Sequence, residues 1–120
     1  MKKDTLVIGA SLNPTRYSNI AIKRLIDKDV KTLAIGLRKG VVLNTVIETE
    51  KIPFKDIDTV TLYLNAKRQK EYYEYIISLK PKRVIFNPGT ENDEFYALLK
   101  ENGIESEVAC TLVLLSTNQY

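Results

Sequence analysis

The residues best suited to chemistry lie in Val7–Asn19, VIGASLNPTRYSN. An apolar run ends at Gly9, passes Ser11, Pro14 and Arg16, and reaches Ser18, whose hydroxyl can cap a helix. A strand, a turn and a helix N-terminus in that order offer free backbone N–H groups and a positive dipole end to a phosphate. Gly9, lacking a Cβ, allows both the sharp turn and the close approach of a ligand. A complete dinucleotide fingerprint reads G-x-G-x-x-G, but here Ser11 and Pro14 stand at the second and third glycine positions. The loop is therefore wound less tightly, and it brings the Ser11 hydroxyl and the Arg16 guanidinium towards one phosphate site.

Further cations follow at two other loops. Gly36-Leu37-Arg38-Lys39-Gly40 is basic where dinucleotide enzymes commonly carry an acid that grips the ribose hydroxyls. Arg38 and Lys39 instead suit a ligand with a phosphate on that ribose, as in coenzyme A or NADP. Lys67 and Arg68 open a later helix, where a cation is mildly unfavourable to the dipole unless an anion binds nearby. In the tyrosine cluster on that helix, Tyr72 reads as a packing residue, Tyr73 and Tyr75 as half-exposed surface. Cys110 is either a small buried apolar residue or a thiol facing the end of a ligand.

These loops need elements to hold them. Thr5–Gly9 reads as a strand, Ser18–Lys28 as a helix with Ala21, Ile22, Leu25 and Ile26 on one stripe, and Thr32–Ile35 as a strand. Val41–Leu43 and Val46-Ile47 are candidate brief strands. Asp58–Leu64 is a strand by its alternation and β-branched content. A helix over Lys67–Leu79 with Tyr72, Ile76 and Leu79 inward, a strand over Arg83–Asn87, and a helix opened by Thr90-Glu91-Asn92-Asp93 with Phe95, Leu98 and Leu99 inward come next. Glu107–Cys110 is the last strand expected. Strands alternating with helices predict βαβ units, hence one α/β domain with a small doubly wound, Rossmann-like, mostly parallel sheet. Ligands bind such sheets beyond the carboxyl ends of the strands, at the switch in strand order. That rule selects the loops Gly9–Ser18, Gly36–Gly40, Asn65–Lys67 and Asn87–Thr90.

Composition narrows the chemistry. The chain has 120 residues, a net charge of +3 and no histidine, which excludes His-based triads, His metal sites and phosphohistidine intermediates. Basic residues are interleaved with acids, so no tract is suited to a nucleic-acid backbone. No run approaches the roughly 20 apolar residues that span a bilayer, and the N-terminus does not read as a signal peptide. With a single cysteine, the expectation is a cytoplasmic protein without disulfides. The apolar tail Thr111–Leu115 covers either the sheet of its own chain or that of a second copy, as in a homodimer.

With Gly9-Ala10-Ser11, Pro14, Arg16, Ser18 and Asn19 in that order, the first loop resembles the CoA-binding domain family of small stand-alone bacterial proteins, related to the nucleotide-binding part of succinyl-CoA synthetase. DTVTLYLNAKRQ (Asp58–Gln69), NPGTENDEFYALLKENGIE (Asn87–Glu105) and Cys110 are similar to later family segments. The loop Gly36-Leu37-Arg38 departs from the family's usual Asn-Pro-bearing one. The resemblance implies CoA or acyl-CoA as ligand and no catalytic machinery in the chain itself. It places Gly9, Ala10 and Ser11 under the pyrophosphate, Arg16 on a phosphate, Ser18 and Asn19 at the helix N-terminus, and Asn65 and Lys67 at the crevice border. A NAD(P)-binding module, an enzyme using Cys110 on CoA, and a scaffold with a vestigial nucleotide fold are the rival expectations.

Overall fold

In the computed structural model, which describes residues 3–120, seven strands form one sheet. They are β1 (Thr5–Ala10), β2 (Thr32–Gly36), β3 (Gly40–Val42), β4 (Thr45–Glu48), β5 (Thr59–Leu62), β6 (Arg83–Phe86) and β7 (Glu105–Val108). Their order is β3-β4-β2-β1-β5-β6-β7, and every neighbouring pair is parallel except β3 with β4. The two brief strands expected after Gly36 are thus a hairpin on one edge, turning at Leu43 with φ 51°.

The central strands are buried on both faces because helices cover both. Leu6, Ile8, Val60, Leu62, Val84 and Phe86 pack with α3 (Tyr73–Leu79) and α4 (Asp93–Glu101) through Ile76, Phe95 and Leu99. On the other face Val7, Ala34 and Ile47 meet Ile22 and Leu25 of α1 (Tyr17–Asp27) and Leu115 of α5 (Thr111–Ser116). The period of two in β1 sends Val7 one way and its neighbours the other. This is the doubly wound, Rossmann-like arrangement, and the apolar tail covers the sheet of its own chain.

Element boundaries differ from the sequence expectation in ways that matter for the site. Arg16, not Ser18, is the N-cap of α1: its backbone is extended (φ −79°, ψ 141°) and its carbonyl accepts from the N–H groups of Asn19 and Ile20. Ser18 therefore lies inside the first turn. The helix expected over Lys67–Leu79 is broken into α2 (Ala66–Gln69), a 3-10 turn (Lys70–Tyr72) and α3. Within it Tyr75 is buried and donates its hydroxyl to the Ile52 carbonyl, while Tyr73 stacks on Phe95 at 4.3 Å between ring centroids. Asn92, not Thr90, caps α4, its side chain accepting from the Phe95 N–H at 3.2 Å. β7 begins two residues before the expected Glu107, so Cys110 occupies the N-cap position of α5.

Candidate functional site

The strand order reverses direction at β1, whose neighbours are β2 on one side and β5 on the other. Beyond the carboxyl ends of these strands lies an open cavity of about 690 Å³, within the range that holds small-molecule ligands.

Its floor is the end of β1. Gly9 has φ 93°, and a Cβ there would stand 2.9 Å from the carbonyl carbon and oxygen of Tyr63. The Tyr63 N–H donates to the Ile8 carbonyl at 2.9 Å, so the chain after β5 stays pressed against β1. Gly9 is demanded by that neighbour as well as by the turn. Ala10 and Ser11 continue the lining. The loop then bonds to itself: Ser11 Oγ accepts from the Asn13 N–H at 3.1 Å, and Asn13 Oδ1 accepts from the Thr15 N–H at 3.0 Å. Asn19 Nδ2 donates to the Ser11 carbonyl at 2.9 Å, fastening the loop to α1.

The wall beside the loop is the first turn of α1. Arg16 supplies no side-chain cap, and no acidic residue stands in the first turn. Among the described residues the N–H groups of Tyr17 and Ser18 have no hydrogen-bond partner. Ser18 is only 3% exposed, lines the cavity, and has no partner for its hydroxyl among the described residues. Uncapped donors and an unpartnered hydroxyl at a helix N-terminus suit an anion.

The charged residues lining the cavity are Arg16, Arg38 and Arg68; none is acidic. No carboxylate among the described residues pairs with any of the three. The other expected residues are placed differently. Lys39 reaches Glu48 at 3.6 Å and lies outside the lining. Asn65 is the N-cap of α2, its Oδ1 accepting from the Arg68 N–H at 2.9 Å. Pro14 and Lys67 are exposed, Asn19 is buried, and none of the three lines the cavity. Arg68, the second cation of the Lys67-Arg68 pair, is the one that lines it.

Sequence reasoning missed most of the apolar wall: Leu12, Tyr17, Leu37, Tyr63 and Pro88. All but Tyr63 fall within the loops that the strand-end rule selects, and that placement was the one signal available. Tyr63 follows β5 in the LYLN run; burial holds its phenol protonated well above the usual tyrosine range. Cys110 is partly buried and outside the cavity lining. No cluster of metal-binding side chains occurs among the described residues, and no helix there is long and apolar enough to cross a membrane.

Comparison with known proteins bears on the fold and the family. A solved structure described only as an uncharacterised protein shares 47% identity, with a TM-score of 0.97 over 100% of this chain and 99% of that one. A hypothetical protein from Pyrococcus horikoshii OT3 shares 28%, with a TM-score of 0.85 over 97% of this chain and 83% of its own. A conserved hypothetical protein from Pyrococcus furiosus shares 25%, with a TM-score of 0.82 over 92% and 97%. No curated protein matches the chain. The sequence profile described as CoA binding domain matches residues 3–116, and with that span the chain belongs to the CoA binding domain family.

Proposed function

We propose that the protein binds coenzyme A, free or acylated, in the cavity at the ends of β1, β2 and β5. The observation that carries this reading is the charge of the cavity: its charged side chains are three arginines, paired by no carboxylate among the described residues, around the uncapped first turn of α1. Such an arrangement favours a compact polyanion, because guanidinium–phosphate bonds are charge-assisted and often bidentate. The pyrophosphate would lie over Gly9, Ala10 and Ser11, taking N–H donors from Tyr17 and Ser18 and a charge from Arg16. Arg38, beyond the end of β2, would meet the phosphate on the ribose. Arg68 would close the opposite side, while Asn19 and Asn65 would hold backbone rather than ligand. The position that selects NAD through an acid carries Leu37 and Arg38 instead, which favours CoA or NADP over NAD.

The domain acts as a binder rather than a catalyst in this reading. Cys110 stands apart from the cavity lining, and the chain has no histidine. A thermal-shift titration with CoA, NADPH and NAD in parallel tests the proposal. A ligand at about 100 times its Kd stabilises the folded state by roughly 2.7 kcal/mol, on the order of 5 °C or more for a domain of this size. A shift with CoA exceeding those with NADPH and NAD supports it. An equal or larger shift with NADPH reassigns the cavity, and no shift with any of the three removes the nucleotide reading.

A further inference from the structure

Gln69 is the last residue of α2 and is wholly buried, directly after Arg68. Each polar atom of its amide is used. Nε2 donates to the Leu64 carbonyl at 2.8 Å and to the Thr90 carbonyl at 2.7 Å, and Oε1 accepts from Asn92 Nδ2 at 2.9 Å. Asn92 Nδ2 also reaches the Tyr73 hydroxyl at 2.8 Å. Leu64 and Arg68 belong to the cavity wall after β5, and Pro88 to the wall after β6. Thr90 closes the same turn as Pro88, its N–H and hydroxyl both donating to the Asn87 carbonyl. One amide therefore ties together the backbones that carry two separate walls.

The local elements cannot set that spacing themselves. α2 has four residues and runs into a 3-10 turn, and a single turn is too short to be stable on its own. Its placement must come from outside, and glutamine has the reach together with two donors and an acceptor. A fully satisfied buried network specifies one arrangement more than it adds stability. We propose that Gln69 is a positioning residue of the cavity: it couples the β5 and β6 walls and so holds Arg68 at the ligand. The inference rests on the CoA reading for the identity of the ligand, while the coupling of the walls does not.

A double-mutant cycle on CoA affinity separates positioning from plain stability. Gln69→Met keeps the length of the side chain and removes its three bonds. We expect it to weaken CoA binding about tenfold beside Arg68, and less than about twofold in an Arg68→Gln background, because coupled groups are non-additive. Equal losses in both backgrounds overturn the proposal. Should Gln69→Met not fold, Gln69→Glu, which keeps the shape but loses both donors when ionised, enters the same cycle. Amide exchange of the ligand-free variant gives a second readout. Faster exchange in both 66–72 and 87–92, with α1 unchanged, supports coupling; an unchanged 87–92 segment overturns it. A parent protein that binds no CoA discards the assigned ligand and with it the role of Arg68, and the exchange result still decides the coupling.

Discussion

The carbonyl oxygen of Ala10 lies 2.3 Å from where a Cβ on Gly36 would stand. Those residues are paired across β1 and β2, just after the register shift at Ile8 and Ala10. Gly36 has no positive φ to accommodate; the space alone requires glycine. Gly40 is a useful contrast, because the three atoms nearest its added Cβ all belong to the Leu12 side chain, the first at 2.6 Å.

Gly36→Ala should therefore destabilise the protein by about 1–3 kcal/mol, the usual cost of forcing atoms into a packed backbone, and weaken CoA binding. Gly40→Ala should cost less than about 1 kcal/mol, since Leu12 is 43% exposed and can swing aside. Urea unfolding of both variants checks this. Equal losses would show that the β1–β2 contact relaxes freely.

Arg38 and Lys39 are neighbours in sequence with different surroundings, one lining the cavity and the other paired with Glu48. Arg38→Ala should raise the Kd for CoA by tenfold or more, given that hydrogen bonds to charged groups are worth about 1.5–3 kcal/mol. Lys39→Ala should change it by less than about twofold, its exposed ion pair contributing little. Calorimetric titration of the two variants decides. A larger loss at Lys39 would move the ribose phosphate out of the cavity.

The same pair shows what a sequence can disclose. Alternation of strand and helix follows from hydrophobic period and turn residues, which are local, and the architecture was legible from them. The first loop was legible too, since a glycine after an apolar run and before a helix constrains backbone wherever it occurs. Which of two adjacent cations turns inward is decided by a partner on another strand, Glu48 for Lys39, and no local pattern carries that. The family resemblance puts Asn19 at the helix N-terminus and Asn65 at the crevice border; in the fold Asn19 Nδ2 donates to the Ser11 carbonyl and Asn65 Oδ1 accepts from the Arg68 N–H. Gln69 was invisible as a buried residue because its polarity belongs on a surface until Leu64, Thr90 and Asn92 close around it.

Asn87 marks the junction of β6 with α5. It is 2% exposed; Nδ2 donates to Thr61 Oγ1 at 2.6 Å and the Leu62 carbonyl at 2.9 Å, and Oδ1 accepts from the Thr111 N–H at 2.9 Å. Asn87→Ala would leave the Thr111 N–H and the Leu62 carbonyl without that partner, at about 1–3 kcal/mol for each buried group. We expect a loss of at least about 2 kcal/mol in urea unfolding, together with faster amide exchange over Thr111–Ser116. Unchanged exchange there would mean that α5 is held by Leu114 and Leu115 alone.

Alkaline stability should depend on Tyr75. Burial, with a smaller contribution from neighbouring Tyr72, pushes its phenol up to about 12 from an ordinary value of 10.0. Between those values the folded protein keeps the proton while the unfolded chain releases it, so rising pH favours unfolding across that window. Below pH 10 the effect is absent. Tyr75→Phe removes this titration, along with the hydrogen bond to the Ile52 carbonyl, which is worth about 1 kcal/mol at neutral pH. The variant should start less stable at pH 7 and then lose less than the parent between pH 10 and 12. Tyr63 and Tyr120, also raised by burial, keep its slope from vanishing. Chemical unfolding across that pH range reads both numbers, and parallel slopes would show that the Tyr75 phenol titrates in the fold as it does in the unfolded chain.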